Sequence, residues 1–567
     1  MKMKAFLLAL IPTSLSCFIA YLLFSPIYQE AHVIIPYGLH PFDICVEQPF
    51  LWKIIKITFI FTYLYANLFL FFSLFSKLFS LSIFSFLFQK KNKDIEKKDV
   101  LQLKIGYSAS HKLITLPEKS LYQNIFITGA IGTGKTSSAM YPFTKQLIEY
   151  KSNSTKEKLG MLILDVKGNY YKQVLCYAQN CGREEDVITI DLSGNIKYNP
   201  LHKPHLRASV LADRLKSILL LFSPNNSESF WIDKAHQILL ESIKLCRLYH
   251  HGYVTFEEIH HLITSPSYYA EKVALLHELF LKNTFSSEEN YDLLSSLEFF
   301  EKEFKALDAR TISILKSEIT RITSLFLNDY QVKNTFCSSL QDLNFLGFSD
   351  VIEKGKIVVL NLNIADYQNL SKVIAAYLKL DFQTEVMSRL ANPYASQRPV
   401  CFISDEFHEY VTASDASFFA QSREAKCINI IATQSYTSLL HTLKDTSCVK
   451  VIIQNLINKL WFRTDDIFTI EDAQKQIGKQ DKMKISKTIS ENAKETTFHP
   501  IFQNFQSKDS NLSESYSTYS QTDFTFDFQF FTQALPCFSC LSFLSDGDTI
   551  KKPEKLTMLP YFRSNFI

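Results

Sequence analysis

The chain has 567 residues, with 60 Lys and Arg against 57 Asp and Glu, for a formal net charge of +3. So even a balance excludes a global electrostatic attraction for nucleic acid, and leaves any such contact to local patches or channel-lining loops. Eleven scattered cysteines, nine of them in the part read below as cytoplasmic, where thiols stay reduced, read as structural.

In chain order, Ala5 to Phe24 and Ile57 to Ser76 are two uncharged apolar spans of the length that crosses a hydrocarbon core. They predict a membrane anchor, residues 1–98, with helices at about 5–26 and 55–76. A cleaved signal peptide is the alternative for the first span, but its apolar run exceeds the usual length and no small-residue cleavage pattern stands near Ser25. Lys2 and Lys4 precede the first span, Lys90, Lys91, Lys93, Lys97 and Lys98 follow the second, and the loop 29–50 carries no Lys or Arg. The positive-inside rule therefore expects a multi-pass protein of the inner membrane with everything after the second span in the cytoplasm. The remaining residues, about 470, exceed one typical domain.

After strand-like runs from Leu101 to Pro117, the apolar Ile125-Phe-Ile127 runs into Gly129-Ala-Ile-Gly-Thr-Gly134-Lys135-Thr136 and then a helix-like stretch from Ser137 to Tyr150. Strand, glycine-rich turn and helix N-terminus in that order make a phosphate-binding loop for ATP or GTP. Gly129, Gly132, Thr133, Gly134, Lys135, Thr136 and Ser137 are the expected nucleotide contacts, with Lys135 on the β/γ oxygens and Thr136 on Mg2+. Met161–Asp165 and Val187–Asp191 read as further strands and Leu206–Phe222 as a crossover helix, which together predict an α/β fold with a parallel sheet. From Trp231 to about Leu346 the period turns helical throughout and the only glycine is Gly252, so an all-α domain, 236–346, is inserted. Strands return at 356–362, 399–404 and 428–433, which assigns 99–235 and 347–567 to one nucleotide-binding domain. The Ser- and Gln-rich stretch 506–522 reads as a flexible loop. Cys537 and Cys540 have metal-like spacing but no second pair nearby, so no zinc site is expected.

The strand at 399–404 delivers Asp405-Glu406 at its C-terminal end, where open parallel sheets place their ligands. Asp405 would hold the Mg2+ water shell opposite Thr136, and Glu406 would polarise the attacking water as general base. The plainer alternative is two solvated acids opening a helix. Asp165 is a rival for the metal, with Lys167 as its possible ion-pair partner. Gln434, at the end of the strand 428–433, is placed to sense the γ-phosphate. Arg423, on an expected helix, or Arg463 could serve as an arginine finger for a neighbouring subunit, and the residues favour neither. The basic run Lys479 to Lys487 is a candidate contact for DNA but reads more readily as a solvated loop. No Leu-Ser-Gly-Gly-Gln-like signature supports an importing transporter.

The segments around Leu121–Thr136, Leu164-Asp-Val-Lys-Gly, Tyr198-Asn-Pro-Leu, Ser404-Asp-Glu-Phe, Ser422-Arg-Glu, Ala432-Thr-Gln-Ser and Asn458–Arg463 occur in an order that resembles the TraG/TraD-like coupling proteins of type IV secretion systems. The resemblance covers roughly 100–235 and 350–565. It implies a RecA-like P-loop ATPase related to FtsK and HerA, working as a homo-hexamer at the inner membrane. Such an ATPase passes relaxase-bound single-stranded DNA to the channel components of a conjugation apparatus, or alternatively delivers effector proteins as a receptor. It also implies that Lys135 and Thr136 bind nucleotide, that Asp405 and Glu406 form the second nucleotide motif, that Gln434 is the sensor and Arg423 the finger in trans, and that the helical insertion meets the relaxosome. Val166 and Asn124 depart from the residues usual in that family, proline and histidine, and leave the role of the Asp165 loop open.

Overall fold

The computed structural model describes residues 100–563 except 166, 194, 223–228, 392–396, 492–495, 500–503 and 508–511, together with scattered positions between 50 and 68. The chain divides into two units, Met1–Val100 and Leu101–Ile567. In the first, the described positions from Phe50 to Leu68 are helical and mostly exposed. The expected span 5–26 lies wholly, and 55–76 mostly, outside the described residues; among those described, no helix is long and apolar enough to cross a membrane.

The second unit is organised by an eleven-stranded sheet. Its strands are β1 (Gln102–Ser108), β2 (Leu113–Pro117), β3 (Ile125–Thr128), β4 (Gly160–Leu164), β5 (Val187–Ile190), β6 (Ile357–Leu360), β7 (Val400–Ser404), β8 (Cys427–Thr433) and β9 (Asn458–Phe462). Two separate ribbons follow, one pairing β10 (Lys479–Glu491) with β13 (Leu512–Phe524), the other pairing β11 (Thr496–His499) with β12 (Asn504–Ser507). β14 (Ser539–Phe543) and β15 (Glu554–Thr557) return to the main sheet, whose order is β2-β1-β15-β14-β9-β3-β8-β7-β4-β6-β5.

From β9 to β5 every pairing is parallel, whereas β14, β15, β1 and β2 are antiparallel. The sheet is therefore mixed, not parallel throughout as the sequence suggested, because four strands from the two ends of the unit extend one edge. The parallel strands are short apolar runs, as burial on both faces demands. Their side chains alternate: Phe126, Leu162, Val358 and Phe402 enter one core, while Ile125, Met161, Ile357 and Cys401 enter the other.

The described residues of the stretch 506–522 are strand, not loop. Its larger part belongs to β13, paired residue for residue with β10, so the basic run 479–487 is a strand as well.

The helical segment comprises Ser229–Tyr249, Phe256–Thr264, Pro266–Leu281, Ser287–Glu298, Ala309–Leu327 and Tyr330–Phe336. Five of these helices start at Ser, Thr or Asp. The side chains of Thr255, Ser265, Ser286, Asp308 and Asp329 each accept from backbone N–H groups of the first turn, and Ser286 with Glu289 closes a capping box. Phe256 stacks on Phe326 with ring centroids 3.9 Å apart. The apolar faces of these helices run without a break into the core on one side of the sheet.

Candidate functional site

Because β3, β4, β7, β8 and β9 are parallel, the residues that follow them gather at one sheet edge. The glycine-rich loop leaves β3 there, pinned from both sides: Gly129 N–H donates to the Gln434 carbonyl at 3.1 Å and Ala130 N–H to the Arg463 carbonyl at 2.8 Å. Gly134 has φ 95°, and a Cβ there would lie 2.4 Å from the Phe538 ring, so only glycine fits. Beyond the loop the chain makes one widened π turn, Thr136–Met140, before the α-helix Tyr141–Glu149.

Thr136 Oγ1 donates to Asp405 Oδ2 at 2.7 Å, which brings the loop and the β7 tip together. Lys135 is buried and its ammonium donates to the carbonyls of Gly129 at 2.5 Å and Ala130 at 3.2 Å. Burial pulls its pKa down, opposed by Asp405 and Glu406. Burial raises the Asp405 carboxyl, against the pull of Lys167.

Glu406 has a left-handed backbone, φ 48° and ψ 43°, uncommon for a residue with a side chain and typical of sites under functional strain. Burial works to raise its carboxyl, but ion pairing to Lys167, with His408 and Lys135 nearby, outweighs this and holds it below the ordinary value. Gln434 Nε2 donates to Glu406 Oε2 at 3.4 Å. Lys135, Thr136, Asp405 and Glu406 line a cavity of about 360 Å³ over the loop, together with Tyr141, Lys167, Asn169 and Tyr561, and Gln434 joins them only through Glu406.

Asp165 follows β4, beside Asp405, and is 1 % exposed. Its Oδ1 accepts the Lys167 N–H at 3.0 Å, while its buried Oδ2 has no hydrogen-bond partner among the described residues. Burial, with the neighbouring Asp405 charge, pushes its carboxyl up to about 6. A hydroxyl and two carboxylates, one of them carrying an unpartnered oxygen, form the all-oxygen donor set that suits Mg2+. The Lys167 ammonium does not pair with Asp165, as the sequence allowed; it reaches across to Glu406.

The two arginines part company. Arg423 is not on a helix but in the exposed turn between the helix Asp415–Gln421 and β8. That turn lies at the opposite end of a seven-residue strand from Gln434, roughly 20 Å away along β8. Arg463 ends β9 beside the loop of its own chain. Sequence reasoning counted the segment after β13 in the nucleotide-binding domain but gave it no role at the site: Phe538 N–H donates to the Thr133 carbonyl at 3.1 Å and Tyr561 N–H to the Ser137 carbonyl at 2.9 Å, fastening this segment over the loop. These are backbone contacts across more than 400 residues, and no side-chain motif announces them.

No family model and no curated protein matches the chain. Solved structures do. The bacterial conjugative coupling protein TrwB, lacking its first 70 residues, matches in its unbound monoclinic form with a TM-score of 0.52 at 13 % identity, covering 80 % of this chain and 88 % of that one. Its trigonal form with sulphate gives 0.53 at 13 %, covering 82 % and 95 %. The plasmid coupling protein TrwB in complex with ADP and Mg2+ gives 0.52 at 13 %, covering 81 % and 94 %. Over about four fifths of its length, the chain has the fold of the coupling protein TrwB, a TraG/TraD-like architecture.

Proposed function

We propose that the chain is an ATP-hydrolysing coupling protein of a type IV secretion apparatus, anchored in the inner membrane and working as a homo-hexamer that recruits relaxase-bound DNA and drives its translocation. The observation that carries the nucleotidase reading is the meeting of Lys135, Thr136, Asp405 and Glu406 around one cavity at the C-terminal sheet edge, with Gln434 reaching Glu406 from beside it. Loop N–H groups and Lys135 bind the phosphates. Glu406, an ionised acceptor steadied by Gln434, orients the attacking water and takes its proton. Asp405, Thr136 and Asp165 would hold Mg2+, which when bound neutralises charge on the phosphate oxygens. Arg423, out of reach of its own loop and exposed, fits a finger offered to a neighbouring subunit, with Arg463 next in line. In this reading 99–235 and 347–567 hydrolyse nucleotide, and 236–346 receives cargo.

Protein cargo is the second reading, favoured by an apolar cavity of about 540 Å³ in the helical segment, lined by Leu262, Ile263, Tyr269, Val273, Phe300 and Phe304 among others. The test is ATPase activity of the purified full-length protein with and without single-stranded DNA. Stimulation by DNA that is lost in Lys135→Ala supports a DNA motor. Activity indifferent to DNA favours the protein-cargo reading, and absence of ATPase activity under all conditions defeats both.

A further inference from the structure

The Lys167 ammonium forms an ion pair with Glu406 Oε1, yet the two partners are unlike: the glutamate side chain is 9 % exposed and the lysine 50 %. Glu406 is held from several sides without the lysine. Its backbone is fixed in the left-handed turn, its N–H donates to Asp405 Oδ1 at 3.0 Å, and its Oε2 lies 3.4 Å from Gln434 Nε2 and 3.7 Å from His408 Nδ1. Lys167, by contrast, is a long side chain on the turn after β4, and it lines the same cavity as Lys135 and Thr136. Of the pair, the lysine is the partner free to move.

If Glu406 is the base, it marks the end of the cavity where the outermost phosphate lies, and the ammonium bound to it stands at that end. Asp405, Glu406 and Asp165 all attract the Lys167 ammonium, and Glu406 is its ion-pair partner; a terminal phosphate, with about two negative charges and three acceptor oxygens, outcompetes that one carboxylate for it. We propose that Lys167 is a positioning residue that reads the terminal phosphate: it holds Glu406 in the empty protein and is drawn onto the γ-phosphate of a bound nucleoside triphosphate, releasing the carboxylate to the attacking water. A diphosphate leaves the ion pair closed, so each round of hydrolysis ends with Glu406 recaptured. The proposal rests on the nucleotidase reading above.

The test is equilibrium binding of Mg2+-ADP and of a non-hydrolysable Mg2+-ATP analogue to the full-length protein. Lys167→Ala should weaken the analogue by about tenfold or more while leaving ADP unchanged. Glu406→Gln, which frees the lysine in advance, should tighten the analogue by a similar factor, and the doubly substituted protein should lose that tightening. Equal effects on both nucleotides, no effect on either, or tightening by Glu406→Gln that persists without Lys167 would reduce the lysine to a prop for Glu406 and overturn the proposal. Glu406→Gln alone decides the matter should Lys167→Ala fail to fold, since absence of tightening is enough to reject it. Wild-type protein that binds neither nucleotide, or binds both regardless of Lys135→Ala, would instead bring down the nucleotidase reading and the proposal with it.

Discussion

Lys135 spends its charge on the carbonyls of its own loop, an arrangement that a phosphate must replace, and Lys135→Ala should abolish hydrolysis measured as phosphate release. Glu406→Gln should lower turnover by about 10² or more without weakening the triphosphate. Unchanged turnover would make the residue structural. A third residue gives a pH signature away from the site. Lys459 is buried beside Phe543, and burial pulls its pKa down to about 8, with Asp472 opposing only in part. The folded state therefore holds the proton less tightly than the unfolded chain, whose lysine titrates near 10.5. The penalty is full below pH 8 and fades as pH rises towards 10.5. Lys459→Met should gain about 3 kcal/mol at neutral pH by chemical denaturation, with the gain vanishing near pH 10.5. That Lys135, Thr136, Asp405, Glu406 and Gln434 gather at one sheet edge was legible in the sequence because each follows an apolar strand. The Lys167–Glu406 pair was not, since the partners lie 239 positions apart and a lysine beside Asp165 reads as that acid's neighbour.

At the scale of elements, the apolar strands and the capped helices announce themselves locally, whereas pairing does not. β13 looked like a loop because its few apolar residues, Leu512, Tyr516, Tyr519 and Phe524, do not alternate at a period of two, whereas Met483, Ile485 and Ile489 of its partner do, opposite Ser520, Thr518 and Glu514. The ribbon exposes Met483, Ile485, Ile489 and Tyr516, and a two-stranded ribbon of this kind is marginal in water. Its amides should exchange with solvent orders of magnitude faster than those of β3, β7 and β8 in a hydrogen-exchange experiment. The ribbon's base is closed by Thr525 N–H donating to the Gly478 carbonyl at 3.2 Å. Replacing 479–524 with a short glycine turn should therefore shift the melting temperature by no more than about 2 °C. A large drop would mean that the ribbon packs on the main sheet.

For the whole molecule, the position of the helical insertion was visible as a change of period and a loss of glycine, but its attachment was not. Phe256, Ile259, Phe326 and Phe336 belong to the same continuous core as Phe126, Leu162 and Phe402 of the sheet. Excising 236–346 should accordingly expose apolar surface on the remaining domain, and the product should bind a hydrophobic dye and lose its sharp thermal transition. A cooperative, dye-silent deletion protein would show that the sheet face closes by itself. A related asymmetry follows from the place of β3. Its neighbours on both sides, β8 and β9, pair with it through residues 430–433 and 458–461, some three hundred positions later in the chain. On the ribosome the phosphate-binding loop therefore waits, unsupported, for roughly 20 to 70 seconds of synthesis until β9 emerges. Throughout that interval the nascent chain carries Ile125-Phe-Ile127 as an unpaired apolar segment, a substrate for chaperones before it is a site for nucleotide.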